Sequence, residues 1–271
     1  MPEFHSRFEK IDRRVPIDEH NCAVQFDVTK CKNCTLCRRA CADTQTVLDY
    51  YSLSSTGDMP ICVHCGQCSS ACPFGAIVEV NDVDKVKAAL KDPEKIVIFQ
   101  TAPAVRVGLG EAFGMDPGTF VEGKMVAALR TLGADYVFDT DFGADLTIVE
   151  EANEFVQRVK NGGVLPMITS CSPGWIKYCE HYYPEFIPNL SSCKSPHEMT
   201  GAMVKTYYAD KAGIDPQNIV VVSVMPCTAK KTECARPEMQ NDGVPNVDAV
   251  LTTRELGDMI KAMGINFLGL P

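Results

Sequence analysis

The stretch Cys31-Lys32-Asn33-Cys34-Thr35-Leu36-Cys37-Arg38-Arg39-Ala40-Cys41 organises the first part of the chain, and Cys62-Val63-His64-Cys65-Gly66-Gln67-Cys68-Ser69-Ser70-Ala71-Cys72-Pro73 nearly repeats it. Both copies space their thiols as C-x2-C-x2-C-x3-C. A tight loop can turn the first three sulfurs of such a copy toward one iron–sulfur cube, while the fourth leaves along a short helix. Structural zinc and disulfides are the alternatives, but zinc sites usually use two C-x2-C arms that a longer loop separates. The repeat therefore predicts iron–sulfur clusters.

The spacing also predicts which cysteines share a cluster. In the bacterial ferredoxin arrangement, the fourth cysteine of each copy ligates the cluster of the other copy. This rule assigns one 4Fe-4S cluster to Cys31, Cys34, Cys37 and Cys72, and a second to Cys62, Cys65, Cys68 and Cys41. Two such clusters imply electron transfer.

Length, composition and charge limit the possible classes of protein. With 271 residues, 45% of them hydrophobic, the chain has material for one small and one larger domain. A net charge of −9 argues against a nucleic-acid surface. No apolar run approaches the roughly 18 residues that span a bilayer, and the N-terminus lacks an export signal. We therefore expect a cytoplasmic protein, in which the fourteen cysteines are metal ligands or reactive thiols.

The hydrophobic pattern changes along the chain and predicts two domains. Short strands are expected within 23–28 and 75–80, with a loop or short hairpin over 44–60, so residues 1–85 are predicted to form an α+β ferredoxin-like domain that holds both clusters. Apolar runs at 96–99 and 219–224 are typical of strands covered on both faces by helices. Residues 86–271 are therefore predicted to form an α/β domain. Its helices include one over Ile148, Ala152, Phe155 and Val159, and a last helix that a threonine at 252–253 can cap.

Two further cysteines follow predicted strands of this second domain. They are Cys171, in Met167-Ile168-Thr169-Ser170-Cys171-Ser172-Pro173-Gly174-Trp175, and Cys227, in Val224-Met225-Pro226-Cys227-Thr228-Ala229-Lys230-Lys231-Thr232-Glu233. Loops at the carboxyl ends of parallel strands form the ligand crevice of such sheets, so both thiols can face one site. Lys230 can hold an anionic ligand there. On these residues alone, two buried apolar cysteines are an equally good interpretation.

The same segments resemble the first two signatures of the iron-iron hydrogenases. Supporting stretches are Thr101-Ala102-Pro103-Ala104-Val105-Arg106, Phe142-Gly143-Ala144-Asp145, Ser191-Ser192-Cys193-Lys194-Ser195-Pro196 and Leu251-Thr252-Thr253-Arg254-Glu255-Leu256. The resemblance covers nearly the whole chain. It implies that residues 86–271 are the N-terminal part of a hydrogenase catalytic domain. It also implies an active-site H-cluster, in which a 4Fe-4S cube is joined to a two-iron unit with carbon monoxide, cyanide and azadithiolate.

The resemblance assigns roles residue by residue. Cys227 matches a cubane ligand, and Ser172 stands where the family usually has a second one. Lys230 matches the lysine that hydrogen-bonds a cyanide, and Ala102 and Pro103 match backbone contacts to the other cyanide. Cofactor contacts are also carried over to Met225 and Ser195. Cys171 matches the thiol that exchanges a proton with the azadithiolate, and the family's proton relay is carried over to Glu154, Ser191, Glu233 and Arg158.

Two departures from the family pattern affect these expectations. A serine oxygen is a poorer partner than thiolate for iron in a sulfur cube, so either Ser172 substitutes weakly or Cys171 changes its role. The family's third signature, a C-x3-C pair, is not found in residues 1–271. We therefore expect a chain that is truncated or completed by a second polypeptide, with uncovered apolar faces and little hydrogenase activity of its own.

Three functions remain open at this stage. The leading one is reversible hydrogen oxidation, with electrons passing through the two clusters to or from ferredoxin or a similar carrier, and with neither a nucleic acid nor a membrane as partner. The main alternative is a non-catalytic electron-transfer or redox-sensing protein on a hydrogenase scaffold. An oxidoreductase with an organic substrate is weaker, since no residue set for such a substrate is visible.

Overall fold

A computed structural model describes residues 14–18, 20–48 and 61–271, which form two compact units. The first unit comprises the described residues up to Val80 together with Pro173–Pro184 and Cys227–Thr232. The second unit is Asn81–Ser172, Glu185–Pro226 and Glu233–Pro271. Each unit thus takes in separate pieces of chain, whereas the predicted domains, 1–85 and 86–271, are consecutive. That division remains a prediction.

The first unit is built on a short antiparallel ribbon. Strand β1 (Val24–Phe26) pairs with β2 (Ile77–Glu79), and Phe26 lies opposite Ile77. Both strands lie inside the segments predicted from the sequence. The part of the predicted 44–60 loop after residue 48 lies outside the described residues.

The apolar core of the first unit contains several of the motif cysteines. Val15, Ile17, Val24, Cys68 and Ile77 are buried together, and Cys37, Cys41 and Cys72 pack against them. Helices α1 (Leu36–Arg39) and α2 (Gln67–Ser70) hold the later cysteines of each copy. A core this small depends on additional cross-links such as metal. That the unit is a ferredoxin-like module stays a prediction.

The second unit is organised around a parallel sheet. Its strands are β3 (Ile96–Thr101), β4 (Tyr136–Asp139), β5 (Ile219–Met225) and β8 (Ala249–Thr252), in the order β4-β3-β5-β8. The apolar runs of β3 and β5 are almost fully buried, as expected for strands with both faces covered. The predicted α/β architecture is confirmed.

Helices connect these strands along the chain. They are α3 (Val83–Lys91), α4 (Val105–Gly108), α5 (Glu122–Leu132), α6 (Thr140–Asn161), α7 (Pro173–Tyr182), α8 (Pro196–Met203), α9 (Ala209–Ala212), α10 (Ala229–Cys234) and α11 (Thr253–Ala262). Two short strands, β6 (Gln240–Asn241) and β7 (Val244–Pro245), pair antiparallel. Within the described residues, no helix is both long enough and apolar enough to cross a membrane.

The predicted threonine cap of the last helix is confirmed. The Thr252 side chain accepts a hydrogen bond from the backbone N–H of Glu255 at 3.2 Å, and the Glu255 carboxylate accepts one from the backbone N–H of Thr252 at 2.7 Å. This reciprocal pair is a capping box, which satisfies two backbone donors at the start of α11.

The predicted strand before Cys171 is wrong. In that described segment the pairing is a single bridge between Ile168 and Leu190, outside the main sheet. Pro166 supplies no N–H for a ladder, and the apolar run that follows it is only Met167-Ile168. The crevice argument therefore applies to Cys227, which follows β5, and not to Cys171.

The predicted helix is present as α6. Its apolar face, which a surface helix normally packs against the core, is exposed to solvent. Ile148 is 66% exposed and Val159 is 53% exposed. The side chains of Glu154 and Arg158 are only 18% and 15% exposed. The polar face turns inward because both charged groups have fixed partners there. The apolar face is left uncovered by the described residues.

Candidate functional site

The first predicted cysteine foursome lines a single cavity. Cys31, Cys34, Cys37 and Cys72 surround it together with Arg14, Phe26 and Phe74. Backbone N–H groups point at two of these sulfurs: Val15 donates to Cys37 Sγ and Asn33 to Cys31 Sγ, both at 3.4 Å. Hydrogen-bond donors to cysteine sulfur are one of the ways in which a protein sets the reduction potential of an iron–sulfur cluster.

The second foursome lines another cavity. Cys41, Cys62, Cys65 and Cys68 surround it with Val15, Ile17 and Val47, and the backbone N–H of His64 donates to Cys62 Sγ at 3.4 Å. The structure thus brings together each set that the spacing assigned, including the crossed fourth members Cys72 and Cys41.

The two loops share an unusual backbone. The residue before the second cysteine and the residue after it have positive φ in each copy: 55° at Asn33 and 71° at Thr35, then 61° at His64 and 73° at Gly66. Non-glycine residues rarely adopt this conformation. Its repetition at matching positions indicates that this backbone conformation orients the cysteine sulfurs.

The close packing of the thiols is consistent with a bound cationic group. Burial raises the pKa of Cys41 to about 12 and that of Cys62 to about 11. At Cys72 burial acts in the same direction, but backbone N–H groups from Phe74 to Ile77 outweigh it and lower the pKa. Thiolates packed this closely need positive charge among them. The four sulfurs of each cavity therefore fit an iron–sulfur cube.

The segment that follows β5 contacts the second cysteine loop. The Thr228 hydroxyl donates to the carbonyl of His64 at 2.5 Å. A Cβ on Gly66 would lie 2.6 Å from Thr228 Oγ1, so only glycine fits there. Burial raises the pKa of Cys65, and the neighbouring Cys227 acts in the same direction. Because Thr228 contacts this loop, the adjacent Cys227 lies beside the second foursome.

The residues matched to the H-cluster occupy strand ends and the start of α10. Met225 is buried at the end of β5, and the backbone N–H of Ala102, after β3, donates to the carbonyl of Val224 at 3.0 Å. Cys227 is half-buried and Pro103 is exposed. The backbone N–H of Lys230 donates to the carbonyl of Cys227 at 3.3 Å, which begins the helical turn between the two. Ligand chemistry suits Cys227 for an iron cube better than Ser172.

Three of the four residues predicted for the proton relay form one network. Glu154 pairs with Arg158 through Oε1 at 2.5 Å and accepts a hydrogen bond from the Ser191 hydroxyl through Oε2 at 3.3 Å. Arg158 also donates to the backbone carbonyls of Val164, Pro188, Asn189 and Leu190. Burial alone would raise the pKa of Glu154, but the Ser192 N–H and then Arg158 outweigh it and lower the pKa.

Two residues near Glu154 were not among the site residues predicted from the sequence. Ser192 donates to Glu154 Oε2 through both its backbone N–H and its hydroxyl, each at 3.0 Å. Glu151, one turn before Glu154 on α6, has a buried Oε1 without a hydrogen-bond partner among the described residues. Its spacing of three residues from Glu154 on a helix was the available signal.

Glu233, the fourth predicted member, contacts a buried histidine. Its Oε2 lies 2.9 Å from His197 Nδ1, and His197 Nε2 lies 2.7 Å from the Ser223 hydroxyl on β5. Its place in the relay stays a prediction. Ser195 is the N-cap of α8, where its hydroxyl accepts from the backbone N–H of Glu198 at 3.4 Å. Cys171 and Ser172 are both exposed, immediately before α7.

Comparison with known families identifies the larger part of the chain. Residues 95–271 match the model described as iron only hydrogenase large subunit, C-terminal domain. The chain belongs to the iron-only hydrogenase family. Residues 58–78, which contain Cys62, Cys65, Cys68 and Cys72, match a 4Fe-4S binding domain. Iron–sulfur clusters and the H-cluster are accordingly the cofactors of this family, and the recognised resemblance is confirmed.

Individual relatives support the same assignment. The chain is 50% identical to the NADP-reducing hydrogenase subunit HndD of Solidesulfovibrio fructosivorans over 90% of this chain and 45% of that protein. A solved structure of HydA(deltaEFG), which reveals stepwise [FeFe]-hydrogenase H-cluster assembly, matches with a TM-score of 0.68 and 47% identity over 71% of this chain and 49% of that one. The cytosolic iron-sulfur assembly component 3 of Bos taurus is 31% identical over 76% of this chain and 46% of its own length. The chain thus spans about half the length of the curated relatives it matches.

Proposed function

We propose that this protein takes part in the reversible reaction 2 H+ + 2 e− to H2, with electrons passing through two 4Fe-4S clusters held by the two cysteine foursomes. The observation that carries the proposal is the contact of Thr228, the residue after Cys227, with His64 and Gly66 of the second loop, in a chain of the iron-only hydrogenase family. The cofactors supply the redox chemistry. The chain supplies their ligands, an electron path and groups that move protons.

The predicted ligand sets indicate which of the two clusters would lie nearer to Cys227 on the electron path. Cys31, Cys34, Cys37 and Cys72 hold one cube, and Cys62, Cys65, Cys68 and Cys41 hold the other. Thr228 packs on Gly66 of the second loop and fixes the residue next to Cys227 against it. Cys62, Cys65, Cys68 and Cys41 would therefore hold the cluster nearer to Cys227, where it would supply electrons to a cube bound there.

The network on α6 provides the proton path. Hydrogen-bonded hydroxyls and carboxylates can pass protons in either direction. The lowered pKa of Glu154 keeps it an acceptor at neutral pH, and Arg158 anchors it against the backbone. The Oε1 of Glu151 has no hydrogen-bond partner among the described residues, which makes that residue a further proton carrier on the same helix. Cys171, which is exposed immediately before α7, is proposed as the thiol that would exchange a proton with the bound cofactor.

Lys230 is proposed to neutralise a cyanide of the two-iron unit. A buried anion that loses its cationic donor costs more than an ordinary hydrogen bond contributes. In matured protein, Lys230→Ala should abolish the infrared bands of bound cyanide and carbon monoxide. Unchanged bands would reject this role.

Hydrogen evolution after maturation with a synthetic two-iron precursor tests the function. The assay is run on residues 1–271 alone and together with the second half of HndD, because the chain spans about half of that relative. We expect activity on the order of 1 turnover per second or faster only in the complemented sample, and a large loss in Glu154→Gln. Full activity of residues 1–271 alone would show that Ser172 or another residue completes the cube.

The alternative is a non-catalytic electron-transfer or redox-sensing protein. It is favoured by Ser172 at a ligand position and by the similarity to an iron–sulfur assembly component. In that case the two ferredoxin-type clusters form, but neither sample evolves hydrogen and the infrared bands are absent. A ferredoxin as carrier and a cytoplasmic location remain predictions. The fourteen cysteines all lie in the described part of the chain and form no disulfide there, which is consistent with a reducing compartment.

A further inference from the structure

Three buried side chains of the second unit turn possible metal-binding atoms toward one another. They are His197 and Glu198, at the start of α8, and Glu233, near the end of α10. Their exposed fractions are 1%, 0% and 4%. His197 Nδ1 lies 2.9 Å from Glu233 Oε2 and 3.3 Å from Glu198 Oε1. One ligand atom from each residue lies within 4.8 Å of the other two.

The two distances from Nδ1 match the spacing of ligands around one metal ion. Zinc binds histidine nitrogen at about 2.0–2.1 Å and carboxylate oxygen at about 2.0–2.2 Å. With these bond lengths, neighbouring ligands are about 2.9 Å apart in an octahedral site and about 3.4 Å apart in a tetrahedral site. The imidazole is therefore already at ligand spacing from each of the two carboxylates.

A hydrogen-bonded partner holds the other nitrogen of the histidine. His197 Nε2 lies 2.7 Å from the Ser223 hydroxyl, which donates to the carbonyl of Ala249 at 3.5 Å. A hydroxyl that donates its hydrogen in this way accepts from Nε2–H, and this tautomer leaves the lone pair of Nδ1 facing the carboxylates. Metal-bound histidines typically have their second nitrogen fixed by such a partner.

Glu198 is held from the side opposite His197. Its Oε2 accepts from Asn246 Nδ2 at 3.1 Å, and Asn246 Oδ1 accepts from Asn241 Nδ2 at 2.8 Å. A Cβ on Gly201 would lie 2.5 Å from the carbonyl oxygen of Asn246, so α8 packs closely against this segment. The frame around Glu198 leaves Oε1 directed toward the imidazole. Ligands that are already ordered lose little freedom on binding, which increases affinity.

We propose that His197, Glu198 and Glu233 form a site for a divalent transition-metal ion, with Zn²⁺ as the expected occupant. The two carboxylates balance the charge of the ion, and the imidazole favours Zn²⁺ over Mg²⁺ or Ca²⁺. The ion ties the start of α8 to Glu233 on α10. It occupies the carboxylate of Glu233, which then serves as an anchor and not as a proton carrier. The proposal depends neither on the iron–sulfur clusters nor on hydrogen chemistry.

A proton on His197 Nδ1 is the competing explanation. A separation of 2.9 Å is also an ordinary length for a hydrogen bond from Nδ1–H to Glu233. In that case the three side chains satisfy one another without an ion, and added metal finds no site among them. Metal uptake by the wild type and by variants that lack one ligand separates the two explanations.

The test measures binding of Mn²⁺ to the reconstituted protein through the loss of the free-ion signal in electron paramagnetic resonance. Mn²⁺ is the probe because it prefers oxygen ligands to the thiolates of the cysteines. We expect the wild type to bind one Mn²⁺ per chain at this site and to release it when Zn²⁺ is added. Glu198→Gln and Glu233→Gln should each weaken binding by at least about ten-fold. Glu94→Gln, at an exposed position before β3, is the matched control and should change it by less than about two-fold.

A further variant keeps the test decisive if loss of a buried carboxylate prevents folding. Ser223→Ala leaves all three ligands in place and should weaken Mn²⁺ binding by about ten-fold through the histidine. Saturating Mn²⁺ should also raise the midpoint of thermal unfolding of the wild type more than that of Ser223→Ala.

Two results would overturn the proposal. One is a wild-type protein that neither contains zinc at this site nor binds Mn²⁺ or Zn²⁺ there. The other is binding that remains unchanged in every folded variant of Ser223, Glu198 and Glu233, which would place the ion elsewhere. Zinc that copurifies with the wild type, blocks uptake of Mn²⁺ and is absent from the Glu198→Gln protein would support the proposal.

Discussion

The two cysteine loops have the same spacing and the same backbone but different surroundings. Around the first loop, Cys34 is exposed and Lys32 lines the same cavity. In the second loop, Cys68 is buried, and Gly66 receives Thr228 from the segment that carries Cys227. The repeated cysteine spacing determines what each loop binds. The residues around each loop determine whether it is exposed to solvent or packed against another segment. The first loop leaves Cys34 exposed at the surface, and the second contacts the Cys227 segment.

The largest expected effect comes from the crossed ligands. Cys72 lies in the second copy but lines the first cavity, and Cys41 does the reverse. We expect Cys72→Ala to abolish the first cluster and Cys41→Ala the second, so that each variant retains about four iron atoms. Iron analysis and electron paramagnetic resonance of the two variants provide the measurement.

The identity of the surviving cluster decides this prediction. If Cys72→Ala and Cys41→Ala leave spectroscopically identical clusters, the two loops are not distinct in the way described. Cys179→Ala is a suitable control, since Cys179 is buried in α7 and donates to the carbonyl of Tyr183. It should keep both clusters.

Removal of iron by a chelator should distinguish the two clusters, because their cysteine ligands differ in exposure. Solvent reaches the first foursome through the exposed Cys34, whereas the second foursome has no exposed member and its Cys68 is buried. With a membrane-impermeant ferrous chelator, the first cluster should lose iron about ten-fold faster than the second. The decay of the two paramagnetic signals measures this order. Simultaneous loss would mean that the exposure difference does not govern access.

A substitution in the second loop should be destabilising. Gly66→Ala would place a methyl group 2.6 Å from Thr228 Oγ1 in a backbone conformation with φ of 73°. We expect a loss of about 1–3 kcal/mol in the free energy of unfolding of the reconstituted protein. Guanidinium unfolding measures it. In the double variant with Thr228→Ala, part of the loss should be recovered, and an absence of recovery would show that the contact with Thr228 is unimportant.

The matching change in the first loop should have the opposite sign. Thr35 is a β-branched residue held at φ of 71°. Thr35→Gly relieves that strain at the cost of greater freedom in the unfolded chain, so a gain of at most about 1 kcal/mol is expected. A loss as large as that of Gly66→Ala would show that the Thr35 side chain makes a contribution not described for this loop.

The sequence predicted the features that repeat or have a fixed local rule. The spacing of the thiols gave both foursomes, and the apolar runs gave the parallel sheet. The Thr252 cap followed from local hydrogen-bonding rules. These features depend on residues close in sequence or on a periodicity that the fold must respect.

Features that depend on distant partners could not be predicted in the same way. The inward polar face of α6 exists because Arg158 meets carbonyls from residues 188–190 and Glu154 meets Ser192, and neither contact is visible in the helical pattern. The contact of Glu233 with His197 likewise joins α10 to α8. The expected strand before Cys171 failed because two apolar residues after a proline are too few to join a sheet.

The content of metal and sulfide in anaerobically reconstituted residues 1–271 tests the central claim most directly. Two cubes, one in each loop, predict about eight iron atoms and eight acid-labile sulfides at the two foursomes, with two distinguishable reduced signals in electron paramagnetic resonance. Zinc in place of iron, or a reproducible content of about four iron atoms with a single signal, would contradict the two-cluster account.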